Sequence, residues 1–342
     1  MIQKHTFGTL SDGRTVESYQ IIHTNGISAS VMNLGCTLLS VEFPTQNGRI
    51  DVCLGYDTPQ EYIDRHTSMG AVCGRFANRI AKGQFELNGI SYQLPVNSGP
   101  NHLHGGVVGY AYRLWNAEIV DEHAVRFTRI SPNGEESYPG TVRLAVTYTL
   151  DDDNGLSIQY DAVSDADTIL NLTNHSYWNL NGYASGDAMQ HTLKLPASFF
   201  CACDENALVT GEICAVSDTP FDFRKPTPIS SHIAKESENE QLQRGSGFDH
   251  CYLLDGQEPV VLTGDQSGIS MEITTDMPAI QLYTANHLHQ QSGKNGASYF
   301  PRCSVCLETE QVPDAPNKPQ FPSAVLKANE PFTSITRHQF VF

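Results

Sequence analysis

Period-two alternation, recurring from one end of the chain to the other, limits this sequence more than any other feature. Residues 27–35 (ISASVMNLG), 141–150 (TVRLAVTYTL), 156–163 (LSIQYDAV) and 270–276 (SMEITTD) each alternate apolar and polar side chains, the pattern of a strand with one buried face. Turn signals punctuate them: SDG at 11–13, QNG at 46–48, LNG at 87–89, SPNG at 131–134 and DDDNG at 151–155. The last, between two alternating runs, predicts a hairpin. FTSITRHQFVF (332–342) reads as a closing strand. Helical periodicity is scarce. DTPQEYIDR (57–65) predicts one short helix, capped by Asp57 or Thr58 with Pro59 in its first turn. ISSHIAKESENEQLQ (229–243) predicts one more. Neither supplies the repeated crossovers of a parallel α/β sheet. The chain therefore reads as all-β, a single domain over residues 1–342 built as a large antiparallel β-sandwich of two stacked sheets.

Charge narrows the partners. With 21 basic against 38 acidic side chains the net charge is −17, a field that repels nucleic-acid backbones and anionic membrane surfaces. A neutral or cationic small molecule is the expected ligand. MIQKHTFGTLSDGR at the start has no apolar core of a signal peptide, and no apolar run reaches the ~18 residues of a membrane span. A cytoplasmic protein is expected, with its nine cysteines as reduced thiols, many of them small core residues. The competing reading joins Cys201 and Cys203 with Cys303 and Cys306 in a four-thiolate zinc site. Against it, Cys303 and Cys306 would point to opposite faces if they lie on a strand.

Five stretches break the strand pattern: CGRFANRIAKGQFELNG (73–89), NSGPNHLHGG (97–106), LNLTNHSYWNLNG (170–182), GSGFDHCYLL (245–254) and LETEQVPDAPNKPQFPSAVL (307–326). Glycine for close approach, polar side chains and stiffening prolines are what loops carrying chemistry require. They hold an acid–base set. His175 and His104 exchange protons near neutrality. Glu308 ends the apolar run CSVCL, where partial burial can tune it. Asp249 can accept from sugar hydroxyls, and Arg79 is a permanently charged donor. Each has a plainer alternative: a structural histidine, an arginine closing a loop, a strand-end charge facing water. The histidine pairs His102/His104 and His287/His289 could each grip a metal if on a strand, but glycines follow the first at once and the second sits at a strand end. No metal and no cofactor are expected, and no nucleophile elbow, phosphate loop or dinucleotide fingerprint is present.

The motifs GRFANRIAKGQFELNG, NHLHGG, LTNHSYWNLNG, GFDH and LETEQVPDAPNKPQFPSAVL resemble, in order and spacing, those of the aldose 1-epimerases (galactose mutarotases) across residues 8–342. The resemblance implies a single large β-sandwich with an open cleft on one sheet. It implies interconversion of the α and β anomers of a free aldose such as galactose or glucose. In that reading His175 is the general acid and Glu308 the general base. His104 helps hold the region of the ring oxygen, while Arg79, Asp249 and Gln281 hold hydroxyls and Asn78 and Tyr177 line the same cleft. Asn171, Asn174 and Asn179 would tie the backbone around His175 and fix its ring; Trp178 and Tyr177 would pack or wall the cleft. Trp178 and Leu282 stand where the family commonly has phenylalanine and an aromatic, which leaves sugar preference open. The partner is a small aldose, and the protein a monomer or homodimer. A glycoside hydrolase, using Glu308 and Asp249, and a non-catalytic sugar-binding protein are the competing functions. The first would leave His175 without a job; the second would bind sugar without speeding its anomerisation.

Overall fold

The computed structural model describes residues 1–46 and 48–342; Asn47, in the middle of the QNG signal, lies outside the described residues. Nine strands form the largest sheet, antiparallel throughout, from Asn116–Ile119 at one edge to Thr227–Pro228 at the other. Its alternating strands behave as their pattern requires: along Val142–Leu150, the side chains of Val142, Leu144, Val146, Tyr148 and Leu150 are all buried. The DDDNG turn joins this strand to Gly155–Ser164. Asp151 Oδ1 accepts from the Asp153 and Gly155 N–H groups, and Asn154 takes the left-handed conformation, φ +65°, that asparagine tolerates. The closing strand, Phe332–Val341, lies inside the sheet between Gly155–Ser164 and Ser270–Thr275.

The expected second layer is two sheets. The strands Ile2–Thr9, Thr15–Ile22, Ser28–Met32, Thr37–Thr45 and Gly48–Asp51 form a five-stranded meander, and a second five-stranded sheet runs in the order Val209–Ala215, Phe199–Cys203, Asp249–Leu253, Ala279–Tyr283, Cys306–Glu310. Both face the nine-stranded sheet across one apolar core. Tyr19 meets Phe127 edge-on at 5.9 Å and Phe43 meets Phe340 at 5.1 Å; Thr309 and Thr336 hydroxyls bond at 2.6 Å. In the second five-stranded sheet Leu282 and Leu307 point into that core. The alternate residues Gln281, Tyr283 and Glu308 therefore take the opposite face. That parity puts the polar set on the sheet's outer side.

The helix Pro59–Arg65 begins as its sequence predicts, with Thr58 as N-cap in a reciprocal capping box with Glu61. The single helix expected over 229–243 is instead broken: Ile229–Ile233, then a 3₁₀ turn, then Glu240–Gly245. Asn239 causes the break. Its side chain caps a new helix by accepting from Leu242 N–H, and an asparagine is more stable there than in a helix interior.

Candidate active site

All eight predicted site residues, Asn78, Arg79, His104, His175, Tyr177, Asp249, Gln281 and Glu308, line one cavity of about 260 Å³, the space of roughly eight or nine liquid waters. Short ladders bring its loops together. Arg79–Ile80 pairs with His102–Leu103, and Val72–Cys73 pairs with Thr173–Asn174. Asn171 locks a third junction: its amide donates to the carbonyls of Ala77 and Gln311, and its oxygen accepts from Gln311 N–H. The turn after His104 depends on Gly105. Its φ is +84°, and a Cβ there would sit 1.8 Å from the Gly74 carbonyl oxygen, so no other residue fits.

His175 follows the short strand Thr173–Asn174. Its N–H donates to Ala71 O and its carbonyl accepts from Gly70 N–H, both at 2.8 Å. Its ring stacks on Tyr177 at 5.0 Å, meets His104 edge-on at 5.2 Å and points Nε2 at Glu308 Oε1, 3.6 Å away. The asparagines do hold the surrounding backbone: Asn174 donates to Gly70 O, Asn179 to Gly186 O and Cys303 O. None bonds the His175 ring, whose Nδ1 has no hydrogen-bond partner among the described residues. Tyr177 orients it instead, by stacking. Trp178 is no cleft wall. It lies in the core against His338 and Phe340, because it is one residue out of phase with Tyr177. Leu282 is likewise buried in the core and does not touch the cavity. From that strand it is Tyr283 that reaches the cavity, edge-on to both His175 and Tyr177.

Asn78 is a hub. Its N–H donates to His104 Nδ1 (3.1 Å), its side-chain oxygen accepts from Arg79 N–H, and its amide donates to Glu310 Oε1 (2.9 Å). The bond to Nδ1 leaves the His104 ring proton on Nε2. Gln281 donates to Asp249 Oδ1 at 2.6 Å, and the Arg79 guanidinium lies 3.8 Å from Asp249 Oδ2. Arg79 Nε, Gln281 Oε1 and Glu308 Oε2 are buried polar atoms without a hydrogen-bond partner among the described residues. A polyhydroxylated ligand would satisfy such atoms.

Burial governs the protonation states. It pushes His175 down to about 4 against the opposing pull of its backbone hydrogen bond and of Asp249. It pushes His104 well below the usual histidine range, helped by the charges of His175 and Arg79. It drives Glu308 well above the usual carboxyl range, reinforced by Glu310 and Asp249 and opposed by Arg79. The near-neutral exchange expected of His175 and His104 is thus not what the structure contains, because desolvation outweighs the charge of Asp249 that favours a His175 imidazolium.

The zinc reading fails on placement. Cys201 packs in one apolar cluster, Cys303 and Cys306 in another, and all nine cysteines are free. Cys303 also precedes the strand that holds Cys306. His102 cannot share a metal with His104, since its ring nitrogens contact Pro95 O and Tyr138 OH. His287 is at the cavity in a turn, off any strand. Ligand atoms of His104, His175 and Glu308 do lie within 4.8 Å of one another, the one such group of three among the described residues; we read that closeness as spacing for proton exchange. Sequence reasoning missed Tyr283 and Glu310. Each lies two residues beyond a predicted site residue on the same strand, so the period-two rule applied from Gln281 and Glu308 would have pointed to them.

The comparisons with known proteins agree across the chain. The family model described as aldose 1-epimerase matches residues 17–339. A galactose mutarotase from Sus scrofa is 40% identical over 348 residues, spanning 100% of this chain and 98% of the relative. An aldose 1-epimerase from Haemophilus influenzae is 37% identical, spanning 94% of each. Among solved structures, an aldose epimerase homologue from C. elegans superposes with a TM-score of 0.88 at 31% identity, covering 94% of this chain and 98% of the other. A galactose 1-epimerase from Lactobacillus acidophilus gives 0.87 at 27% identity, covering 100% and 98%.

Proposed function

The chain belongs to the aldose 1-epimerase family and so interconverts the α and β anomers of a free aldose; we propose that His175 and Glu308 move the protons, with galactose and glucose as substrates. The observation that supports this most is the 3.6 Å approach of His175 Nε2 to Glu308 Oε1 on the wall of a monosaccharide-sized cavity.

Mutarotation needs no redox change and no covalent enzyme adduct. The anomeric hydroxyl loses a proton, the ring oxygen gains one, and the C1–O5 bond breaks to the open aldehyde. Rotation about C1–C2 presents the other carbonyl face, and the ring recloses with the proton transfers reversed. Between its two limits the His175–Glu308 pair carries one proton in total. With that proton on the imidazole, Glu308 takes the hydroxyl proton while His175 protonates the ring oxygen. The negative charge of Asp249 favours a proton on either member of the pair, and so helps keep one there. Neutral His104 donates from Nε2 near the ring oxygen. Arg79, Asp249, Gln281 and Asn78 hold the hydroxyls, and Tyr177 and Tyr283 face the sugar's C–H surface. Each general acid or base of this kind contributes about 10²–10⁴-fold, and fixing both on rigid backbone adds an orientation term.

A hydrolase would need two carboxyls flanking a scissile bond; here the group facing Glu308 is the His175 imidazole, and the second carboxyl, Asp249, is engaged by Gln281 and Arg79. We take the chain as one folding domain, acting as a monomer or homodimer in the cytoplasm, for which the nine unpaired cysteines argue; among the described residues no helix is long and apolar enough to cross a membrane. Polarimetry of freshly dissolved α-D-galactose and α-D-glucose, with EDTA present and no added cofactor, tests the function. Relaxation is expected to be faster than the buffer rate. Relaxation at the buffer rate, or release of free sugar from a glycoside, contradicts it.

A further inference from the structure

Glu310 is a second buried carboxyl beside the reaction centre. It is 0% exposed, against 3% for Glu308, and it does not line the cavity. Both belong to the strand Cys306–Glu310, two positions apart, so their side chains share a face about 7 Å apart along the strand. Their environments differ. Glu310 Oε1 accepts from the Asn78 amide at 2.9 Å, a bond that favours its anion. The second oxygens, Glu308 Oε2 and Glu310 Oε2, both lack a partner among the described residues; what sets the two carboxyls apart is the Asn78 bond to Glu310 Oε1, whereas Glu308 Oε1 faces His175 Nε2 at 3.6 Å. Around Glu310 stand Asn78 and Arg79 from one loop and Glu308 on its own strand. Asp249 and the Cys251 thiol come from the strand Asp249–Leu253, and the Cys73 thiol from Val72–Cys73.

Resting on the assignment of Glu308 as the base, we infer that Glu310 is a positioning residue that ionises ahead of Glu308, and whose charge then holds the single proton of the His175–Glu308 pair in place as pH rises. Burial pushes Glu310 up to about 8, against the pull of its hydrogen bonds from Asn78 and Asn171. A like charge ~7 Å away in a water-poor interior then opposes ionisation of Glu308 and extends the alkaline edge of activity by about one to two pH units. The same carboxyl anchors Asn78, whose N–H fixes the His104 tautomer.

The test is the pH–rate profile of Glu310→Gln, with buffer-catalysed mutarotation subtracted. The amide oxygen can still accept from Asn78, but the titrating charge is gone. The alkaline limb is expected to move to lower pH by about one to two units while the acid limb stays. A limb that stays in place or moves up overturns the inference, because a merely structural role would not shift it in this direction. Infrared difference spectra between pH 6 and 10 give a reading that survives poor folding of that variant. Wild-type protein should lose two buried protonated-carboxyl bands in sequence, and Glu308→Gln should abolish the later one. Loss of the earlier band instead overturns the order. If Glu308→Gln turns over like wild type, the catalytic assignment itself fails; if it is inactive and the Glu310→Gln limb does not move, only this inference fails.

Discussion

At the residue scale, an imidazole and a carboxyl face each other out of water, and burial disfavours the charged form of each. Activity then follows the window in which the pair holds one proton. Below about 4 His175 takes a second, and at alkaline pH the raised carboxyl of Glu308 loses the last. A plot of kcat against pH should be flat through neutrality, fall on the acid side near 4 and fall again well above the normal carboxyl range. A decline centred near 6.5, the ordinary histidine value, would contradict the burial argument. Removing the imidazole in His175→Asn should lower kcat by about 10²–10⁴-fold at pH 7. Steady-state polarimetry reads that loss, and a KM within a few-fold of wild type would mark it as loss of proton transfer.

At the element scale, strand parity separates neighbours into different jobs. Leu282 faces the core and Tyr283 the cavity. Leu282→Ala should therefore destabilise by about 2–5 kcal/mol in urea unfolding with KM little changed. Tyr283→Ala should raise KM for galactose. The reverse pattern would mean the register is wrong. Trp178→Ala, deep between His338 and Phe340, should cost about 3–5 kcal/mol. Most of the architecture was legible in the sequence because alternation and turn chemistry are local. The strands at 27–35, 141–150, 156–163, 270–276 and 332–342 and the helix after Thr58 all appear. What was not legible depends on distant partners. The split of one layer into two sheets is one case. The inward turn of Trp178 is another: its N–H bonds Val305 O, a pairing no local pattern announces. The site was legible as a set of residues through family motifs, but not its protonation. Desolvation is a property of the assembled interior, and it moves His175 and His104 below the near-neutral range expected of a histidine.

At the scale of the whole molecule, buried titratable groups set how stability changes with pH. His102, His175, His250 and His338 each sit near 4 in the folded chain against 6.5 when free. Their folded values are depressed, so the unfolded chain binds more protons between these limits. Stability is then full above 6.5 and lost as pH falls toward 4, each group contributing up to about 1.4 kcal/mol per pH unit. Glu310 has the opposite sign. Raised to about 8 from 4.5, it favours folding below 4.5 and loses that contribution as pH rises through 8. Melting temperature should peak between these flanks, with one cooperative transition if residues 1–342 are a single domain, and Glu310→Gln should flatten the alkaline flank. A Tm independent of pH from 4 to 9 would contradict the assignment. The fold's central service is to carry Glu308 and His175, distant in sequence, to one cavity. The direct test is Glu308→Gln at pH 7, followed as the optical rotation of freshly dissolved α-D-galactose. Native circular dichroism, retained galactose binding and relaxation slowed by about 10²–10⁴-fold relative to wild type are expected; relaxation at the wild-type rate would remove Glu308 from the mechanism.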